Sequence, residues 1–462
     1  MKKVKINTIG AIVVLALILR LIAINQSLWL DEAINLIAAR DLSLTGLLFT
    51  YMIGDFHPPL FHTMLWGWFK IFPAGEVSAR IPSVIFGAAT VVVTYNIAKL
   101  VTKGEKYQSH ISRLSAFLLA TSGLHIYYSQ EARMYALAAF FTTLTFFALL
   151  QLKEEPSPQN KALFTGSLVL MLLSDYQPWL LLPLFFVLRP GLTAFATLMT
   201  LPWWPMLSRQ IERGLETTQA FPAWETVVGT LSIKSALLVP VKFMVGRTSI
   251  DNNLIFALAL LIPVSVVLIS IFKAFQKRKW YRRVLQGWLA VPFVVAAIVS
   301  LKIPVFSYFR FLFVLPVFYL LIALGVTRLS VRYQKLAVAV LLVTNIISAG
   351  AYLFLPRFHR EDWRGMVNYV QQLDPAGTLV VFPSLAQSAA FDYYNTNQLR
   401  TQDKKTLDLH ENAGTVFLVR YVSEIFDPEN QLVEALQRNG FEKVSEVAFR
   451  GILIWQYKRV DL

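Results

Sequence analysis

The chain has 462 residues, 56% of them hydrophobic and 13% aromatic, with a mean hydropathy of +0.53. It is too apolar for a soluble globular protein. Its long uncharged runs exclude the short alternating segments of a β-barrel, and its lack of cysteine excludes disulfides and thiolate metal sites. A net charge of +15 suggests nucleic acid until the charges are located along the chain.

A helical span needs ~20 largely apolar residues. Spans are predicted near 6–24, 81–99, 111–128, 134–151, 162–174, 178–188, 191–207, 253–272, 284–301, 311–327 and 336–355. The first has no small-residue cleavage site and reads as a retained helix. Eleven crossings put the N-terminus in the cytoplasm and the C-terminus outside. The cytoplasmic loops then carry nineteen Lys and Arg against three acids, Glu105, Glu154 and Glu155. The external loops up to residue 310 balance at eleven of each sign, so the excess is a positive-inside signal and no nucleic-acid footprint. Residues 58–72, "PPLFHTMLWGWFKIF", are too short to cross and read as an interfacial or re-entrant helix. Residues 223–246, which carry Glu225, Lys234 and Lys242, read the same way.

Near Leu355 the composition shifts, and 356–462 reads as a small soluble α/β domain following a membrane domain of 1–355. "TLVVF" (378–382), "TVFLVR" (415–420) and "GILIWQYKR" (451–459) are predicted strands. "WRGMVNYVQQL" and "NQLVEALQRNG" have helical spacing. With no glycine-rich phosphate loop and no clustered acids or histidines, this domain reads as non-catalytic, a recognition or lid domain.

In this topology the unusual residues collect on the external side. Asp31 and Glu32 follow the first span in "SLWLDEAINL". His57 opens "HPPLF", and Glu76 and Arg80 stand where the second span begins. "YYSQEARMYAL" supplies Glu131, Arg133 and Tyr135, "SDYQPW" supplies Asp175 and Tyr176, and "SYFRF" supplies Arg310. Ionisable groups at a membrane are costly unless they pair or line a wet cavity, and five loops converging on one face suggest a cavity. Plainer readings stand beside this one. Glu76 and Arg80, one turn apart, suit a simple ion pair. Glu131 and Tyr135 share that spacing on a helix from which Arg133 points elsewhere. Arg20 and Arg310 suit snorkelling, Trp29 an interfacial anchor and His57 a helix cap.

"SLWLDEA", "HPPLFHTMLWGWF", "GEVSARIPSVIFGAATVVVTY" and "YYSQEARMYAL", in this order, resemble the GT-C glycosyltransferases. Within these they are most similar to the protein O-mannosyltransferases and lipid A aminoarabinose transferases. The resemblance is good over residues 1–190 and looser around "SYFRF". It implies an enzyme moving a sugar from a polyprenyl phosphate to an acceptor (protein, lipid or glycan) outside the cell membrane. Asp31 would be the principal carboxylate, with Glu32 beside it. His57 would begin a helix along the cavity, and Arg80 would match an arginine at the start of the second span. Relatives often have an aspartate where this chain has Tyr135, with Glu131 a turn earlier.

The chemistry suits these residues. A polyprenyl phosphate leaves readily, so the reaction needs a base for the acceptor hydroxyl, which Asp31 can supply. It also needs cations for the departing phosphate, a task for Arg310, Arg133 or Arg80. No cofactor is implied. A divalent metal held by Asp31 and Glu131 would help, although no ligand motif calls for one. The rival readings are a flippase or transporter, which would place its charges mid-membrane on repeated, broken helices, and a ligase or polymerase of another fold.

The topology is directly testable in a chain without cysteine. Cysteines placed at Ser43 and Ser384 should react with an impermeant thiol reagent in intact cells. Protection of both, with normal expression, would overturn the charge-based map.

Overall fold

The computed structural model describes residues 8–223, 229–276, 279–373, 378–409 and 414–460. Lys2, Lys3, Lys5, Glu225, Lys277 and Arg278 lie outside the described residues. The chain is a bundle of helices capped at one end by a small mixed sheet, so the expected all-helical membrane part with an α/β appendage is present.

Among the described residues, six helices are long and apolar enough to cross a bilayer: Glu76–Val101, Tyr135–Glu154, Asn253–Phe275, Trp280–Val299, Tyr308–Val326 and Val331–Phe354. The other predicted spans fall on shorter or broken helices, namely Thr8–Leu21, Gln108–Ala120 with Gly123–Ser129, Pro158–Ser174, Gln177–Leu188 and Pro190–Leu198. At 1.5 Å per residue the shorter ones reach only part of the way across.

Leu315–Val326 is the axis of the bundle, with every residue buried. It packs against Gln108–Ala120 and Asn253–Phe275, the latter so closely that a Cβ on Gly325 would lie 1.7 Å from the Ser270 carbonyl oxygen. Glycine is therefore required there, as in other tight helix crossings in lipid. Asn253–Phe275 turns Leu254, Leu258, Leu261, Ile262, Leu268 and Phe272 outward, as a lipid-facing helix does.

Arg20 departs from the expectation of snorkelling. It is fully buried, donating to the Ala16 and Ala120 carbonyls and lying 2.6 Å from Nδ1 of His125. Its helix ends at Leu21, so the polar chain that would lead it to water is replaced by partners inside the bundle.

"PPLFHTMLWGWFKIF" forms Leu60–Trp68, nine residues and too short to cross, and the 223–246 segment contributes Ile233–Val245. Leu60–Trp68 packs against Leu30–Asp41, and Ile233–Val245 against Val331–Phe354 and Gly123–Ser129.

Beyond Phe354 the chain forms a five-stranded sheet where three strands were predicted. β1 (Thr378–Phe382), β2 (Arg400–Asp403) and β3 (Thr415–Val419) run parallel; β4 (Phe441–Phe449) and β5 (Ile452–Arg459) form a hairpin, and β5 is antiparallel to β3. The order is β2-β1-β3-β5-β4. The two strands not predicted are the edges. "RTQD" and "FEKVSEVAF" are polar because one of their sides has no neighbour, and polar edges resist unwanted pairing. Helices Trp363–Leu373 and Gln431–Arg438 match the predicted spacing.

The sheet domain docks onto the loop after the first helix. The Leu28 amide donates to Tyr394 Oη at 2.8 Å, the Arg364 amide to Ser27 Oγ at 3.1 Å and the Arg360 amide to Gln26 Oε1 at 2.9 Å. Glu76 receives Arg364 and the Tyr394 hydroxyl, so the Glu76–Arg80 pair suggested by spacing does not form.

Candidate active site

Arg80 pairs instead with Glu32. Its Nε donates to Glu32 Oε1 at 2.8 Å and its Nη2 to Oε2 at 2.5 Å, with both side chains fully buried. The remaining N–H groups donate to the carbonyls of Ile24, Gln26 and Ser27. All five guanidinium donors are thus used. Glu32 also accepts the Ala132 amide at 2.8 Å and lies 3.5 Å from Arg360. Burial pushes its carboxyl up, but Arg80 and Arg360 outweigh that and hold it below the usual range. Arg80 has no donor left for a phosphate, and Glu32 faces no cavity; both shape the loop.

Asp31, one residue earlier, turns about 100° away on the same helix and is 35% exposed. Its Oδ2 lies 3.5 Å from Arg133 Nη2, and among the described residues its carboxylate accepts no hydrogen bond. Arg133 reaches Asp55 with its other arm, 3.6 Å away. These are charge contacts beyond hydrogen-bond length, so Asp31 keeps its lone pairs free.

Asp55 was not singled out by sequence, yet it gathers the other side of the site. Its side chain is 5% exposed and takes hydrogen bonds from Tyr51 at 3.1 Å and His57 Nδ1 at 2.8 Å, with His62 Nε2 at 3.3 Å. Burial pushes this carboxyl up, but His62 and His57 hold it well below the carboxylate range. Asn35 joins the cluster through Tyr51 and His62. Phe56, between Asp55 and His57, has φ +63°, a left-handed conformation unusual for a bulky residue and frequent at functional turns. Gln210, from helix Trp204–Ala220, fixes this turn by donating to the carbonyls of Met52 and His57. His57 thus holds a carboxylate where a helix cap was an alternative. The legible signal was "DFHPP", an acid two residues before the histidine.

The stretch 130–134 is a bend, and the helix starts only at Tyr135, so Glu131 and Arg133 are not bound by helical spacing. Glu131 turns to Arg360, 3.5 Å away, and Arg133 to the two aspartates. Burial lifts the Glu131 carboxyl to about 7 against the pull of Arg360. Tyr135 packs edge-on to Tyr128 and Phe309. Asp175 is 5% exposed. It accepts the Gln177 amide and lies within electrostatic reach of His57, Arg310 and Arg133. Tyr176 points away, donating to Gln210 and accepting from Trp203, and so buttresses the Asp55–His57 turn. Arg310 uses one N–H on the Pro304 carbonyl, its guanidinium near Tyr135 and Asp175.

Two further arginines escaped sequence reading. Arg360, at the start of the sheet domain, also donates to the Tyr127 carbonyl. Arg247 donates to the Tyr127 hydroxyl at 2.5 Å, and both guanidiniums stand over the Tyr127 ring. "HREDW" at the composition shift was the available signal.

The Asp31–Glu131 pair considered for a metal is divided between two arginines. Among the described residues no group of His, Asp or Glu is arranged to hold a metal ion: Asp55, His57 and His62 meet, but as hydrogen-bonding and charge partners of one another. The residues therefore do not fit a metal centre.

Residues 56–206 match the family model described as dolichyl-phosphate-mannose-protein mannosyltransferase. This stretch holds His57, Arg80, Glu131, Arg133, Tyr135, Asp175 and Tyr176, and leaves Asp31, Glu32 and Arg310 outside. No curated protein sequence matches the chain significantly. Among solved structures, ArnT from Cupriavidus metallidurans bound to undecaprenyl phosphate is similar at a TM-score of 0.58 and 12% identity, covering 97% of both chains. The Archaeoglobus fulgidus oligosaccharyltransferase in complex with Zn and sulfate is similar at 0.53 and 13%, covering 97% of this chain and 72% of that one. AglB from the same organism, in complex with an inhibitory peptide and a dolichol-phosphate, gives 0.53 and 12%, covering 97% and 74%. The chain has the GT-C fold of these membrane glycosyltransferases.

The raised Glu131 carboxyl makes a pH prediction. A carboxyl whose folded value lies above its ordinary 4.5 contributes stability that is complete below about 4.5 and is lost as pH rises through about 7. Glu131→Gln cannot ionise and lacks that loss. Its melting temperature should pull ahead of wild type across this window, by the equivalent of about 3 kcal/mol at the top. Parallel melting profiles would show that Glu131 is ionised throughout.

Proposed function

We propose that this protein transfers a sugar from a polyprenyl phosphate to a hydroxyl-bearing acceptor on the outer face of the membrane, with inversion. The observation that carries this reading is Asp31. In a GT-C fold, it is a partly exposed carboxylate with free lone pairs, flanked by Arg133, where a lipid-held donor and an aqueous acceptor can meet. ArnT bound to undecaprenyl phosphate and AglB in complex with a dolichol-phosphate support a lipid-linked donor.

Asp31 accepts the proton of the acceptor hydroxyl as its oxygen bonds to the anomeric carbon. The carbon–oxygen bond to phosphate breaks on the opposite face, and its electron pair leaves on the phosphate. The proton passes from Asp31 to water. Arg133 orients Asp31 while Asp55 holds Arg133 from behind. Arg310, with N–H groups in reserve and at the edge of the bundle, meets the charge that develops on the phosphate, where a planar fork suits two oxygens. Arg247, fixed over Tyr127, is the second cation on that side. Tyr135, His57 and Asp175 line the remaining wall. His57 and Asp175 offer hydrogen bonds to the sugar.

The direct test incubates purified protein with a panel of radiolabelled polyprenyl-phosphate sugars and measures release of polyprenyl phosphate. Asp31→Asn should cut turnover by on the order of 10²–10⁴ with donor affinity and melting temperature nearly intact. Glu32→Gln should instead lower the melting temperature, because breaking a buried pair costs about 3–5 kcal/mol. Wild-type transfer by Asp31→Asn would remove it from the mechanism.

Arg310→Ala should weaken donor binding, and Arg310→Lys should restore it only in part, because the fork is lost. Unchanged donor affinity in Arg310→Ala would return Arg310 to a snorkelling role and leave Arg247 as the phosphate cation.

A further inference from the structure

A polar cavity of about 380 Å³ opens where the sheet domain joins the bundle. Arg247, Ser249 and Asp251 line it from the link that leads into Asn253–Phe275. Arg357, Phe358 and His359 line it from the link that leaves Val331–Phe354. Its volume is at the lower end of those that hold small molecules. Only Arg247 takes part in the transfer proposed above.

The charges around this cavity do not cancel, since two guanidiniums face one carboxylate. Both guanidiniums also keep donors in reserve. Arg247 is exposed and donates one N–H to the Tyr127 hydroxyl. Arg357 donates to both oxygens of Asp251, at 3.0 and 3.4 Å, and to the Ser249 carbonyl at 3.3 Å. The partners of this ion pair are 51% and 87% exposed. Such a pair is worth little, so an incoming anion can take the planar fork of Arg357 from Asp251. Nε2 of His359 is buried and, among the described residues, has no hydrogen-bond partner. A polar occupant relieves that condition.

The surroundings say which anion. Asp251 stands two residues before one spanning helix and Arg357 three residues after another, so the cavity lies at the membrane surface. Ile250, Leu254, Phe354 and Leu355, which continue its walls in sequence, are apolar and exposed. A soluble anion gains nothing from that apolar border, whereas a lipid lays its chains along it. Basic pockets between membrane helices hold anionic headgroups in this way. An excess of one positive charge, with His359 neutral, suits a phosphodiester that has no amine of its own.

We propose that this cavity binds the phosphodiester headgroup of an anionic membrane phospholipid, in the leaflet on the sheet-domain side, with Arg357 and Arg247 on the phosphate. The bound lipid ties the start of the sheet domain to the bundle.

The test measures lipid retention by native mass spectrometry. The full-length protein, purified in detergent, is supplied with phosphatidylglycerol, phosphatidylcholine or a polyprenyl phosphate. Wild type should prefer phosphatidylglycerol to phosphatidylcholine. Arg357→Ala should shrink that preference about tenfold, as loss of one charged hydrogen-bond donor implies. Asp251→Asn should enlarge it, because the competing carboxylate is gone. Polyprenyl phosphate retention and melting temperature should match wild type in both variants. A structural ion pair behaves differently: both variants lower the melting temperature alike and leave the lipid preference unchanged. That result overturns the proposal, and so does a wild type that prefers neither phospholipid. Displacement of phosphatidylglycerol by inorganic phosphate at equal concentration assigns the cavity to a soluble phosphate and overturns the lipid source. Loss of polyprenyl phosphate in Arg357→Ala gives the cavity to the sugar donor and overturns the proposal as well.

Discussion

The site depends on one buried ion pair. The loop after the first helix must turn sharply enough to bring Asp31 back over the ends of the bundle, and its carbonyls at Ile24, Gln26 and Ser27 would otherwise have no partners at that depth. Arg80 satisfies these three while gripping both oxygens of Glu32. A lysine could not, since three donors on one nitrogen cannot match a planar carboxylate and a curved backbone together. Two desolvated charges gain little net stability from each other. What the pair fixes is the shape of the turn, and with it the direction in which Asp31 points.

Adjacent acids therefore have opposite characters. Glu32 is saturated with donors and sealed from water, whereas Asp31 has charge nearby but no hydrogen bond, and solvent on one side. Catalytic work needs the second condition, because a carboxylate that is fully bonded has nothing left with which to take a proton. The same division recurs across the cavity. Asp55 is consumed by Tyr51 and the two histidines, and serves by holding Arg133 in place.

The bundle was legible in the sequence because a membrane permits few solutions: apolar runs become helices. The convergence of Asp31, His57, Arg133, Asp175 and Arg310 on one end followed from the same logic. Partner choice did not. Glu76 and Arg80 stand one turn apart, yet each finds a partner elsewhere, since a weak helical pairing yields to buried tertiary contacts. Asp55 looked like an ordinary loop acid because the residues that give it meaning, Asn35, Tyr51 and His62, are common in loops. Arg360 was hidden in a tail that, without clustered acids or histidines, read as a non-catalytic recognition or lid domain, and nothing in the sequence announced its reach to Glu32 and Glu131. β2 and β4 were missed because edge strands have the composition of loops.

Docking by the sheet domain also imposes an order of assembly. Gln26 and the Arg360 amide that holds it are 334 positions apart. At about 5–20 residues per second, the loop bearing Asp31 waits on the order of tens of seconds for the segment that closes over it. During that interval Ser27 Oγ lacks the Arg364 amide, and Glu76 lacks Arg364 and the Tyr394 hydroxyl. Every intermediate helix must be inserted before Arg360 can reach Glu32 and Glu131. The nascent chain thus carries Asp31 without its finished surroundings, which are completed in one late event, when the last hundred residues fold back onto the first thirty.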